Sequence, residues 1–331
     1  MPLPQISVIN PPRAIPGSRV SIVGHDFPVG GGDLPDVFVQ EKRARVVFAS
    51  SDRISAIVPG ELAEGGSLPI RVGAVADRAP SIDVGVAVAT GLHQVDNPLI
   101  DAAGNLYLTY SGTRGQQVPV SIFRVTPNGT RETFSSSVVN PTSMAFDAAG
   151  RLYVSSRFEG TVYRLASDGT AEPFVTDLGI TCGLAFAPDG RLFVGDRSGT
   201  IFVVDQEGQA DTFATLPTSV AAFHLALGAD GLYVAAPTLS PYDAVYRIAF
   251  DRTVYVHSQA FGRPQGLAFG PDGALYVVEA LAGASGLYRQ RAGEAPELLL
   301  AAPGLIGLAF DPRGGAVVCS SDTAYRFPAF A

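Results

Sequence analysis

The sequence predicts an all-β chain of two domains, a small sandwich followed by a six-bladed β-propeller, and three observations predict it. A strand-turn-strand unit of about forty residues recurs six times. Short apolar runs alternate with turn residues along the whole length, with 37 Gly and 25 Pro among 331 residues. Apolar residues make up 47% of the chain and charged residues only 16%, a balance suited to many short buried strands rather than to long amphipathic helices.

The first domain is read from the segments Ile6 to Ile9, Arg19 to Val23, Val37 to Val39, Arg45 to Ala49, Ile54 to Val58 and Leu68 to Val72, punctuated by Pro-Pro, Pro-Gly and Gly-Gly-Gly. Three of its motifs follow one another as Ile9-Asn-Pro-Pro, Pro16-Gly-Ser-Arg-Val-Ser-Ile-Val-Gly-His-Asp-Phe and Ile57-Val-Pro-Gly. In that order they resemble the IPT/TIG family over residues 4 to about 80, and the resemblance implies an immunoglobulin-like fold; the strand pattern alone fits several sandwiches. The division expected is residues 1–83 for the sandwich and 84–331 for the propeller.

The propeller is read from its repeat. Near-copies begin at Leu99, Met144, Leu184, Leu225, Leu267 and Leu308, as in Leu184-Ala-Phe-Ala-Pro-Asp-Gly-Arg-Leu-Phe-Val and Leu267-Ala-Phe-Gly-Pro-Asp-Gly-Ala-Leu-Tyr-Val. Their turn glycines, Gly104, Gly150, Gly190, Gly231, Gly273 and Gly314, are spaced by 46, 40, 41, 42 and 41 residues, the length of one four-stranded blade. Each turn joins two apolar runs, where a tight hairpin needs a positive φ that glycine adopts without steric cost. The flanking runs are almost continuously apolar, as strands buried on both faces require. Tyr107, Tyr153, Phe193, Tyr233 and Tyr276 recur in the second strands and are expected in the core. Third strands follow, as in Thr161-Val-Tyr-Arg-Leu, and then outer strands, as in Thr170 to Thr176. The last copy stops after three strands at Ala324-Tyr-Arg-Phe-Pro, so residues 84–90, Val-Gly-Val-Ala-Val-Ala-Thr, are expected to supply its outer strand and close the ring. This segment overlaps the expected last strand of the sandwich, so the two domains share it or meet there without a linker.

Composition excludes some functions. A net charge of −8 leaves no basic footprint for a nucleic acid. No apolar run is long enough to span a bilayer, and the first residues lack the features of a signal peptide. The expected location is periplasmic or secreted if a signal has been removed, and cytoplasmic otherwise. Cys182 and Cys319 fall in blades far apart in the ring and are expected as buried thiols, not as a disulfide.

Propellers place ligands at one end of the channel, where loops leading into first strands meet loops leaving second strands. Eight residues before each turn glycine stand Asp96, Thr142, Cys182, Phe223, Gln265 and Ile306. After it, at the ends of the second strands, stand Tyr110, Ser156, Asp196, Ala236, Glu279 and Ser320. The expected ligand-binding set is Asp96, Asn97, Tyr110, Arg157, Asp196, Arg197, Arg263 and Gln265, a mixed aromatic and polar mouth for a small molecule, sugar or protein partner. Residues 84–331 resemble NHL-repeat propellers and, more loosely, the gluconolactonase/regucalcin family. The latter resemblance implies a divalent cation, Ca²⁺ or Mg²⁺, held by Glu, Asn and Asp. Here only Asp96 offers a carboxylate at the matching positions, with Asn97 beside it, whereas Ca²⁺ takes about six to eight oxygen ligands. Glu279, in Tyr276-Val-Val-Glu, resembles the corresponding position in virginiamycin B lyase-like propellers, which would pair it with His224 as acid and base. The leading expectation is a bacterial, extracytoplasmic, non-catalytic binding or interaction protein. The alternatives are a metal-dependent lactonase-like hydrolase using Asp96 and a lyase using His224 and Glu279.

Overall fold

The computed structural model describes residues 3–30, 33–62, 64–73, 80–280 and 284–330. Among them every regular element is a β-strand, and no helix is long and apolar enough to cross a membrane.

Alternation sets the register of the N-terminal sandwich. Arg19–His25 pairs antiparallel with Arg53–Ile57, placing Val20 opposite Ala56 and Ile22 opposite Ile54, and all four side chains are buried. Lys42–Ala49 pairs through its first residues with Val37–Val39 and through its later ones with Arg53–Ile57, so one strand links the two sheets. Ile9, Ile22, Val37, Ile54, Ile70 and Ile82 fill the core between them.

The rest of the chain forms six four-stranded antiparallel blades. Five are separate sheets; the fifth in chain order, Pro264–Phe269 to Glu297–Ala301, is part of a twelve-stranded sheet that continues into the sandwich. Inner strands of neighbouring blades pack together, and that of the last blade packs on that of the first, closing the ring. All six turn glycines have positive φ, from +75° at Gly273 to +151° at Gly231. In five of these turns the glycine N–H donates to the carbonyl three residues back, as Gly190 does to Ala187 at 2.9 Å. The second strands Leu152–Ser156, Leu192–Asp196 and Leu275–Glu279 are buried at every position, which is why their sequences do not alternate. Second-strand tyrosines pack edge-on against a phenylalanine of the next blade, Tyr153 on Phe186 at 4.8 Å, Tyr233 on Phe269 at 5.1 Å and Tyr276 on Phe310 at 4.7 Å, while Phe193 packs on Phe213 of its own blade at 4.8 Å. Cys182 and Cys319 are free and buried in the third and sixth blades.

The shared segment divides cleanly. Ser81–Val84 finishes the sandwich against Gly66–Val72. After the single residue Gly85, Val86–Ala89 pairs antiparallel with Ala324–Phe327 as the outer strand of the last blade, Ala89 opposite Ala324. The closing strand is thus shorter at its start than the expected 84–90, because Val84 is held in the sandwich core at 2% exposure. A Cβ on Gly85 would stand 2.8 Å from the Phe327 ring, so the link passes only without a side chain.

A second junction has no counterpart in the sequence pattern. Arg13–Ala14 pairs in parallel with Ser81–Val84 on one side and with Glu297–Ala301, the outer strand of the fifth blade, on the other. The Ile15 N–H and the Ser18 hydroxyl both donate to the Ala301 carbonyl, at 3.1 and 2.7 Å. The sandwich is therefore fixed to the rim of the propeller.

Candidate functional site

The turn glycines lie at one end of the channel, so the residues leading into first strands and leaving second strands converge at the other. There a cavity of about 330 Å³ is lined from all six blades. Four of the six positions preceding the turn glycines reach it, namely Thr142, Cys182, Gln265 and Ile306, together with Arg157 and Arg197 from the ends of second strands. A larger cavity of about 530 Å³ lies at the seam between the sandwich and the fifth blade, away from this convergence.

The two remaining positions are absent from the lining. Phe223 is turned into the core and Ala222 lines the cavity instead. Asp96 lies below Val95 and Gln94, which line the cavity, and its Oδ1 is 2.6 Å from Nδ1 of His224. Asp96 leads into the first blade and His224 opens the fourth, so in a ring of six this hydrogen bond spans the channel. Both side chains are inaccessible, at 4% and 0% exposure. An imidazole that donates from Nδ1 to the carboxylate leaves Nε2 without a protein partner, and Nε2 is buried. Gln94 supports the pair from the side, donating to the Asp96 carbonyl at 2.8 Å and accepting the Thr109 N–H at 2.9 Å.

Several expected site residues act as ties between backbone segments. Asn97 donates to the Leu267 carbonyl at 2.7 Å and accepts the Leu308 N–H at 3.0 Å, joining the first strands of the fifth and sixth blades. Gly307 lies so close that a Cβ there would stand 2.6 Å from the Asn97 Cα. Asp196 accepts the Ile180 N–H at 2.9 Å and also the Ser198 hydroxyl. Glu279 accepts the Gly262 N–H at 2.8 Å and the Arg263 N–H at 3.1 Å. Each carboxylate ends a second strand and holds the loop leading into the first strand of its own blade. The expected acid–base pair is not formed: His224 meets Asp96, while Glu279 is turned into its own loop.

Of the other expected residues, Arg157, Arg197 and Gln265 line the cavity, whereas Tyr110 and Arg263 do not. Tyr110 stands edge-on to His93 at 6.1 Å, and Arg263 has a buried Nε without a partner. Arg197 donates to the carbonyls of Ser219 and Val220 at 3.2 and 2.7 Å. Partial burial, and then the nearby charge of Arg197, lower the pKa of Arg157. His93 also lines the cavity, and its pKa is lowered by burial and then by Arg157. Sequence spacing did not single out His93; its only signal is its place in the loop just ahead of Asp96.

These residues do not fit a divalent cation. Among the described residues no three His, Cys, Asp or Glu side chains are gathered as ligands. Asp96 is bonded to an imidazole and Asn97 spends both ends of its amide on other blades. Thr, Cys, Gln and Ile then complete a ring far short of the oxygen shell that Ca²⁺ takes. Burial also pushes the Cys182 thiol up to about 12, so it is a neutral packing group rather than a thiolate ligand or nucleophile.

Residues 4–83 match the IPT/TIG domain family. A comparison with curated protein sequences gave no match. Among solved structures, the whole chain is similar to an auxiliary nutrient binding protein from Bacteroides ovatus, with 98% of each chain covered, 14% identity and a TM-score of 0.53. It is also similar to a candidate gluconolactonase, over 72% of this chain and 90% of that one, with 14% identity and a TM-score of 0.59. A third similarity, to virginiamycin B lyase from Staphylococcus aureus, covers 74% of this chain and 87% of that one, with 13% identity and a TM-score of 0.50. At these identities the likeness is one of fold.

Proposed function

We propose that this chain is a non-catalytic binding protein that holds a small ligand in the cup at the channel mouth and works outside the cytoplasm. One observation carries the reading. The expected site carboxylates and His224 are withdrawn from the cup, Asp96 and His224 beneath its floor and Asp196 and Glu279 into loop amides, while neutral polar groups, two guanidinium groups and the His93 imidazole line it. Such a cup has the volume of a small-molecule site and polar groups to orient a ligand, but no carboxylate among the described residues that line it. The whole-chain likeness to a nutrient binding protein supports the binding role.

The test is thermal unfolding of the full chain against neutral sugars, sugar acids and organic acids. A ligand at about 100 times its Kd adds about 2.7 kcal/mol, or about 5–10 °C for a domain of this size. Ala222→Phe, which fills the cup from its lining, should abolish the shift without lowering the melting temperature of the free protein by a comparable amount. A shift that survives this substitution places the ligand elsewhere and removes the proposal.

The buried His224 Nε2 favours a second reading. A histidine oriented by a carboxylate through Nδ1 has the arrangement of a general base, and a ligand or water reaching Nε2 from above would meet it. This lyase-like reading uses Asp96, not Glu279, as the partner of His224. It requires that any turnover found be lost in both Asp96→Asn and His224→Ala and kept in Glu279→Gln.

A further inference from the structure

The cup is the exception to the charge of the molecule. The chain carries a net charge of −8, yet among the described residues no aspartate or glutamate lines this cavity, whereas Arg157 and Arg197 do. Neither guanidinium has a carboxylate partner among the described residues, unlike Arg124, Arg151, Arg164, Arg191, Arg247, Arg289 and Arg313 elsewhere in the propeller; Arg114, Arg131, Arg252, Arg263 and Arg326 also lack one but do not line the cup. Arg197 is steadied by the two backbone carbonyls of Ser219 and Val220, which fix its plane without neutralising it. Arg157 makes no side-chain hydrogen bond among the described residues and is partly desolvated. Like charges held near each other at a concave, partly dry mouth repel, and an anion entering between them relieves that repulsion while gaining charge-assisted hydrogen bonds. The cavity of about 330 Å³ takes a molecule of monosaccharide size and no folded partner.

We infer that the cup selects a small organic anion, whose carboxylate or phosphate group is held between Arg157 and Arg197. This rests on the binding reading above and adds the class of ligand. Thr142 and Gln265 line the same cavity and supply neutral hydrogen-bonding groups for the rest of the molecule.

The test is calorimetric titration of the full chain at low ionic strength with glucose, glucuronate, glucose phosphate and succinate. Glucose and glucuronate share a ring and differ in charge, and the two phosphate and carboxylate arms separate the two oxyanions. The expected result is binding of at least one anionic probe, about tenfold or more tighter than glucose and weakening as salt is raised. Arg157→Ala and Arg197→Ala should each cost about tenfold, with partial rescue by lysine, while Arg191→Ala at the opposite end of the channel changes nothing. Melting curves check that each variant is folded. Equal binding of glucose and glucuronate, indifference to both arginine substitutions, or no binding of any anionic probe at about 10 mM would overturn the inference. The underlying reading fails separately: glucose binding that is lost in Ala222→Phe but indifferent to the arginines leaves the cup and removes the anion, whereas arginine-dependent binding that survives Ala222→Phe removes the cup.

Discussion

His224 and Asp96 are 128 residues apart and meet at 2.6 Å where water does not reach. Removing the imidazole leaves a carboxylate buried without its partner, so His224→Ala should cost about 3–5 kcal/mol in urea unfolding. Asp96→Asn keeps an acceptor oxygen for the Nδ1 proton and should cost only about 1–2 kcal/mol. Equal losses would mean that the pair contributes packing alone. Two other histidines set a pH dependence. His93 and His257 both have pKa values below the ordinary 6.5, each chiefly through burial. The unfolded chain therefore takes up protons first as pH falls, and the stability present above 6.5 is lost as pH drops through the lower folded values. Melting temperature should decline from pH 7.5 toward 5, well above the window in which Asp147, Asp189 and Asp311, all lowered from 3.8, begin to titrate. A flat profile over that interval, or one unchanged in the His93→Asn, His257→Asn double variant, would assign the decline elsewhere. Single residues were the least legible level of the sequence. Position in the repeat found Thr142, Cys182, Gln265, Ile306, Arg157 and Arg197 at the cup, because the blade period fixes where a strand begins and ends. It could not pair His224 with Asp96 or turn Glu279 into its own loop, because those contacts depend on how side chains cross the ring.

Strands and turns were legible because their constraints are local. A glycine at each hairpin, a buried second strand and its aromatic residue repeat with the period, so each copy reinforces the others. The closing strand was legible by counting, since the last copy is one strand short. Its consequence can be tested by truncation. Cutting after residue 80 would strand Ile82 and Val84, 0% and 2% exposed in the sandwich core, on the surface, so the informative cut follows Val84. Residues 85–331 should fold, with the outer edge of the fifth blade as open as that of its neighbours. Residues 93–331 lack Val86–Ala89 and also Leu92, which is buried at 6% and whose N–H donates to the Asp322 carbonyl. Losing those buried side chains and the outer strand should lower the melting temperature by about 10 °C or more relative to the longer fragment. Equal melting temperatures would mean that the last blade is stable with three strands.

At the scale of the molecule, the sandwich and the propeller are joined twice, through Gly85 and through the parallel pairing of Arg13–Ala14 with the fifth blade. The second join was invisible in the sequence because a two-residue parallel bridge between segments almost the whole chain apart has no periodic signature. It decides what the sandwich can do. Pinned at the rim, the sandwich contributes none of its described residues to the lining of the cup. The same join makes one sheet continuous across both domains, and sheets that share a ladder unfold together unless the ladder is cut. The full chain should therefore melt in a single calorimetric transition. Replacing Ile15 with Pro removes the N–H that binds the Ala301 carbonyl, and Ser18→Ala removes the hydroxyl that binds the same oxygen. The double variant leaves that buried acceptor without these two donors where the two domains meet, at about 1–3 kcal/mol, and it also trims Ile15, 2% exposed in the core of the fifth blade. Two separate transitions in this variant, with ligand binding at the cup unchanged, are the expected outcome. A single transition that merely moves to lower temperature would show that Gly85 and the closing strand suffice to couple the domains.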